Sequence, residues 1–285
     1  MQKIPNKFSI IKNNVIAARI LRKMRWNKQI YCPYCGCIND ISTHSVFKNG
    51  IKRYFCHNCM KTFTDLSRTI FEKTKVPLWK WIYGLILLLE STGSLSAAEL
   101  KRNIEVSYPT AWKMLQKIRK VLIPAQFALK FSGVIESDEA WISHGENQQI
   151  LLGMVEREGR VQFFCIEDRK EDQLIAPHLW YVEQGSIVCT DSLSSYHGLF
   201  PRFIHHTVNH SVGEFKRNHI WTNGIEGIWS MLKGIIRTIH HGVSKKHLKG
   251  YYSLFAFNYN NRKRSFQEKL SLLIKYSCQP RYCLY

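Results

Sequence analysis

Apolar residues recur at two different periods along the chain. Between residues 77 and 122 they return three and four positions apart, the spacing of helices that bury one face. From residue 133 onward they alternate or run together over short stretches, which is strand texture. Ahead of both regions, "VIAARILRKMRW" (15–26) reads as a short basic amphipathic helix. In the helical region, "WIYGLILLLE" (81–90) is apolar nearly all round, which fits a buried helix. It falls well short of the ~20 residues that cross a bilayer.

"SLSAAELKRNIEVSYPTAWKMLQKIRKVL" predicts a helix over 96–103, a turn around Glu105 and Val106, and a second helix starting near Ser107. Ser107 suits an N-cap, and Pro109 is tolerated in a first turn. Trp112, Leu115 and Ile118 share one face of that helix; Lys113, Lys117 and Lys120 share another. This is the grammar of a helix-turn-helix whose second helix enters a DNA major groove, although ordinary helix pairs look alike.

The strand region begins with "VIESDEAWI", "QILLGMVERE" and "RVQFFCIED". A helical stretch (170–181), the strand "SIVCTD", a short helix near Ser194–Leu199, the strand "FIHHTVNH" and a helix in "TNGIEGIWSMLKGIIR" follow. The order β-β-β-α-β-α-β-α predicts a mixed sheet flanked by helices, in the α/β (α+β) class.

Length and composition agree with folded modules: 285 residues, 45% hydrophobic and 13% aromatic. The N-terminal "MQKIPNKFSIIKNN" lacks the apolar centre of a signal peptide, so a soluble cytoplasmic protein with no membrane partner is expected. Charge sharpens the picture. Residues 1–130 hold 23 Lys/Arg against 6 Asp/Glu, a net of +17. Residues 131–212 hold 5 against 12, a net of −7, and residues 213–285 hold 13 against 3, a net of +10. Basic flanks around an acidic middle suit a polyanion, with DNA or RNA leading.

Of nine cysteines, four are patterned. Cys32 and Cys35 form one C-x2-C knuckle and Cys56 and Cys59 another, with twenty residues between them. Four thiolates at this spacing can close a tetrahedral site around one structural Zn²⁺. Cys37 fits the first knuckle poorly. Cys165 and Cys189 lie in apolar runs and read as buried thiols, and Cys278 and Cys283 have no assigned role.

Clustered acids within the first strand are the other anomaly. Asp138 lies in that strand, Asp191 ends "SIVCTD", and Glu226 sits one turn into the helix of "TNGIEGIWSMLK". If the first and fourth strands are neighbours and that helix packs beside them, the three carboxylates converge. Two divalent cations ~3.5–4 Å apart would relieve their repulsion and serve in-line attack on a phosphodiester. Oxygen-only ligands favour Mg²⁺ or Mn²⁺. Each acid also has a plainer reading: Asp191 as a helix cap, Glu226 as an exposed helical acid, Asp138 as a strand end. Alternation places Glu136 on the face of Asp138, as a rival first ligand, and Glu139 on the other.

These blocks together resemble a known family. "RW…CPYCG…YFCHNC", the helix-turn-helix segment, and "IESDEAWI", "VCTDSLSSY", "VNHSVGEF" and "TNGIEGIWSMLKG" are similar in kind and order to insertion-sequence transposases of the ISXO-like group, over roughly residues 13–262. The catalytic region resembles the RNase H-like domain of DDE transposases. The resemblance implies Asp138, Asp191 and Glu226 as the catalytic, Mg²⁺-binding triad. It also implies His210 and Asn223 beside the site and Lys233 on a phosphate.

The implied organisation is an N-terminal helix with zinc ribbon (1–70), a helix-turn-helix region (71–130), an RNase H-like catalytic domain (131–262) and a C-terminal tail (263–285). The implied activity is metal-dependent cleavage and strand transfer on double-stranded DNA, at terminal repeats and target, by a homodimer or larger assembly. Alternatives are a zinc-ribbon DNA-binding regulator, a nuclease without joining activity, and an inactive copy.

Overall fold

The computed structural model describes residues 12–26, 29–91, 94–127, 129–143, 146, 148–208 and 221–279. The chain divides into two compact units, residues 1–121 with 264–285, and residues 122–263.

The first unit opens with α1 (Asn14–Trp26) and a three-stranded antiparallel ribbon, β1 (Ile41–Val46), β2 (Lys52–Cys56) and β3 (Lys61–Thr64), in that order. A single acid joins helix and ribbon. Asp65, fully buried, accepts from the Arg22 guanidinium, the Trp26 indole at 3.0 Å, the Tyr54 hydroxyl at 3.0 Å and the Lys52 backbone N–H at 2.7 Å. A buried carboxylate is tolerable only when its lone pairs are filled in this way. The "basic" helix thus spends part of its charge inside the fold.

Next come α2 (Leu78–Glu90), α3 (Ala97–Ile104) and α4 (Tyr108–Leu122). Ser96 caps α3 by accepting from the Glu99 N–H at 3.1 Å. Glu105 ends α3 in the left-handed region, φ +52°, so the chain turns within three residues into α4. Ala111, Met114, Leu115, Ile118 and Val121 are the buried stripe of α4, while Lys113, Lys117 and Lys120 are exposed.

The second unit is built on a five-stranded sheet: β4 (Val134–Ile142), β5 (Gln149–Glu156), β6 (Val161–Ile166), β7 (Ile187–Asp191) and β8 (Ile204–Val208), in the order β6-β5-β4-β7-β8. β5 runs antiparallel to β4 and β6, whereas β4, β7 and β8 are mutually parallel. This is the RNase H-like mixed sheet. Helix α5 (Glu171–Tyr181) covers one face, packing Leu174 and Ile175 against Ile135, Leu152 and Met154. Helices α6 (Asn223–Thr238) and α7 (Lys245–Asn260) cover the other, packing Ile228, Trp229 and Tyr252 against Ala140, Leu151 and Phe163. Neighbours such as Leu151 and Leu152 therefore serve opposite layers, and the sequence shows an apolar run rather than alternation.

The segment expected as a tail contains α8 (Phe266–Ser277), which belongs to the first unit and packs on α1 and α2. Ser265 and Glu268 close a capping box at its start. No helix among the described residues is long and apolar enough to cross a membrane.

Candidate active site

The site forms where two strands part. β4 and β7 pair from Val134 opposite Ile187 to Glu136 opposite Cys189. Beyond that β4 continues only with β5, to Ile142, and a crevice opens at the carboxyl end of β7. Such a crevice between parallel strands is where open sheets build sites. Asp138 borders it from β4 and Asp191 from the last position of β7. Together with Glu139, each offers an oxygen within 4.8 Å of the others.

The presence of Glu139 departs from the alternation argument. Parity does send its chain toward the α5 face, yet no strand pairs with β4 on that flank at this level, so the carboxylate turns into the gap. The Tyr196 hydroxyl donates to its Oε1, while its buried Oε2 has no hydrogen bond and lies 3.7 Å from Arg169 Nε. The expected rival, Glu136, is engaged elsewhere. Its Oε2 accepts from the backbone N–H groups of Gly224 (2.7 Å) and Ile225 (3.2 Å) at the start of α6, and its Oε1 accepts from Arg157 Nε at 3.2 Å. Arg157 lies 3.7 Å over the Trp221 ring and donates to the Trp221 carbonyl. A Cβ at position 224 would come within 2.7 Å of Glu136 Oε2, so a larger residue there would displace the carboxylate. Glu136 is thus the N-terminal anchor of the helix that carries Glu226.

Asp138 is held by α6 from above. The Trp229 indole N–H donates to its Oδ2 at 3.0 Å. Trp229 comes this close because Gly153 stands opposite Asp138 on β5, and a Cβ there would sit 2.6 Å from the indole ring. Below, His178 is fully buried. Its Nδ1–H donates to the Leu174 carbonyl, so its Nε2 accepts from the Ser137 hydroxyl at 3.0 Å, fixing β4 against α5.

Burial lifts the Asp138 carboxyl to about 6, with the charges of Asp191 and Glu226 adding to the rise. Burial lifts the Glu139 carboxyl to about 7; the Tyr196 hydroxyl opposes this, and Asp138 and Asp191 reinforce it. Crowded, buried carboxylates raise one another in this way, and a cation reverses the effect. An acid cluster made only of oxygens, with one orphaned buried oxygen, fits a hard divalent ion.

Asp191 also accepts from the Leu193 N–H at 3.1 Å, but the short 3-10 helix Ser194–Leu199 has no side-chain cap. Asp191 therefore shapes the turn rather than capping that helix. Glu226 is exposed in the first turn of α6, outside the group of three, and near enough for its charge to act on Asp138. Asn223, the first residue of α6, and Lys233, two turns beyond Glu226, are exposed. Asn209 and His210 lie outside the described residues.

In the ribbon, Cys32, Cys35, Cys56 and Cys59 converge, with Sγ separations of 3.6 Å for both Cys32–Cys59 and Cys35–Cys56. Zinc–sulfur bonds of ~2.3 Å in a tetrahedron require about 3.8 Å between sulfurs. The Cys37 backbone N–H and the Asn58 amide hold the Cys35 thiol down to about 6, favouring the thiolate that a metal needs. The cluster is compatible with a zinc ribbon.

Residues 130–260, the span of this sheet and its helices, match the family of ISXO2-like transposase domains. The matched span, 131 of the chain's 285 residues, is similar to that transposase domain. Over 91% of its length it is also 26% identical to 95% of an uncharacterized protein in transposable element ISH50 of Halobacterium salinarum. Over 28% of its length it is 35% identical to 64% of an uncharacterized transposase-like protein of Haemophilus influenzae. Within this matched span, the roles of Glu139, Tyr196, Gly153 and Trp229 escaped sequence reasoning. Only the register between β4 and its neighbours reveals them, and register is not written in any one segment.

Proposed function

We propose that the protein is a DDE transposase that binds the terminal repeats of its element, cuts DNA there and joins the freed 3′-hydroxyl to target DNA. The observation that carries this reading is the meeting of Asp138 and Asp191 at the parting of β4 and β7, within the span similar to a transposase domain. Asp138, Asp191 and Glu226 would hold Mg²⁺ or Mn²⁺, with Glu139 alongside them. The bound ions supply Lewis acidity to the attacking and leaving oxygens of an in-line displacement.

The chain's own residues do the placing. Trp229 and Gly153 fix the Asp138 carboxylate, Glu136 fixes the helix of Glu226, and Asn223 stands three residues before Glu226 on that helix. His210, in a segment outside the described residues, would contact DNA or orient the attacking water. Lys233 would meet a phosphate near the scissile bond.

Cys32, Cys35, Cys56 and Cys59 would hold one zinc ion that keeps the ribbon folded. Ribbon and helix pair would dock on the repeats, with Lys113, Lys117 and Lys120 of α4 toward the DNA. The protein would act in the cytoplasm, and pairing of two element ends calls for a dimer or larger assembly.

A Mg²⁺-dependent cleavage and joining assay on DNA carrying the element's ends tests this, comparing the wild-type protein with Asp191→Ala. Cleavage and joining by the wild type alone is the expected result. Equal activity of Asp191→Ala would overturn the reading, and cutting without joining would make the protein a nuclease.

A further inference from the structure

A cavity of about 950 Å³ opens in the second unit between the end of β4, the later turns of α6 and the loop after it. The face of α6 that carries Glu226 continues into this cavity through Ser230, Lys233 and Arg237, at four, seven and eleven residues beyond. Trp141, three residues along β4 from Asp138 and 46% exposed, contributes an indole, and His241 contributes an imidazole. No carboxylate is among the described residues that line it, although the neighbouring crevice is crowded with them.

One hydrogen bond ties two sides of the cavity together. Ser143 takes a left-handed conformation, φ +66°, at the end of β4, and its hydroxyl donates to the Val243 carbonyl at 3.1 Å, tying the loop to the strand. The volume exceeds what a mononucleotide needs, at the upper end of the ~300–1,000 Å³ typical of ligand pockets.

We propose that this cavity is a nucleotide pocket: it takes one unpaired nucleotide of the DNA beside the scissile bond, its base against Trp141 and its phosphate on Lys233 and Arg237. An aromatic face offers sequence-tolerant stacking, and two cations without a competing acid select phosphate. The place is right. Trp141 lies ~10 Å from Asp138 along the strand at ~3.3 Å per residue, and Lys233 lies ~10 Å from Glu226 along the helix at 1.5 Å per residue. Either span equals about three nucleotides at ~3.4 Å each. The pocket's meaning rests on the reading that this domain cuts DNA, but its occupancy can be measured without any cutting.

The full chain is titrated, without added Mg²⁺ or Mn²⁺, with fluorescein-labelled duplexes that are either blunt or carry three unpaired nucleotides at one end. Wild-type protein is expected to prefer the frayed duplex by about tenfold. Trp141→Ala should lose that preference, and Trp141→Phe, which keeps a stacking face, should retain most of it. Arg237→Gln should weaken both duplexes and lower the salt dependence of binding by about one counterion. A 5-iododeoxyuridine in the unpaired tract should crosslink to Trp141 in the wild-type protein. Equal affinity for blunt and frayed ends in the wild type, an undiminished preference in Trp141→Ala, or crosslinking elsewhere while the DNA stays bound would each overturn the proposal. None of these results depends on whether the protein cleaves.

Discussion

Replacing Glu136 tests the architecture under the site at its narrowest point. The carboxylate is 2% exposed and serves three donors: the Gly224 and Ile225 N–H groups and the Arg157 guanidinium. Glu136→Ala strips all three. Removing one partner of a buried ion pair costs ~3–5 kcal/mol. Arg157 keeps the Trp221 ring and carbonyl, and its side chain is 19% exposed, so the low end applies. With the overlapping loss of a helix cap, ~1 kcal/mol, the total is about 3–4 kcal/mol. For a unit of this size ~1 kcal/mol shifts the melting point by ~3–4 °C, giving a fall of about 9–16 °C. Glu136→Gln keeps an amide oxygen for the helix N–H groups and loses only the charge, ~1–2 kcal/mol. Differential scanning calorimetry of the full chain, in which the unfolding of the second unit is followed for both variants, provides the measurement. A melting point in Glu136→Ala within 2 °C of wild type would refute the claim that this acid anchors α6.

Other consequences are as direct. Gly153→Ala inserts a methyl 2.6 Å from the Trp229 ring; an overpacking cost of ~1–3 kcal/mol and a fall in cleavage should appear together by calorimetry and gel assay. Raised carboxyl groups make the metal-free protein pH-sensitive. Asp138 at about 6 and Glu139 at about 7 bind protons in the folded state that the unfolded chain has released. Their contribution is therefore fully present below about pH 4 and lost as pH rises through 6 to 7. Without divalent ions, Asp138→Asn should stabilise the protein at pH 8 by a few kcal/mol and leave it little changed at pH 4, as read by urea denaturation at both values. Chelation of zinc, or Cys32→Ser, should unfold the ribbon cooperatively, seen as loss of bound zinc by atomic absorption together with faster proteolysis within residues 29–64.

Much of this was legible beforehand. The two knuckles announced four converging thiols, because metal geometry dictates ligand spacing. The change of apolar period near residue 133 announced the sheet, and β4 to β8 fall where "VIESDEAWI" through "FIHHTVNH" placed them. Local signals also gave the turn at Glu105. What stayed hidden depends on register and depth. Glu139 joins Asp138 and Asp191 because β7 stops pairing with β4 after Glu136, and alternation cannot show where a partner strand ends. Glu136 looked like a ligand and is a helix anchor, since its partners lie 21 and 88 residues away. Arg22 and Arg25 belong to a helix that read only as basic and amphipathic, and they bond Asp65 and the backbone around it. The buried end of α8 carried no family signal, and its capping box was the one local cue.

The central claim is that acids far apart in sequence share divalent ions. An Mn²⁺ titration followed by electron paramagnetic resonance, on zinc-loaded full chain with uncleaved duplex present, tests it most directly. About two Mn²⁺ ions should bind per wild-type chain, and Asp138→Asn, Asp191→Asn and Glu226→Gln should each weaken that binding by tenfold or more. Unchanged Mn²⁺ binding in all three variants, or none in the wild type, would contradict the account.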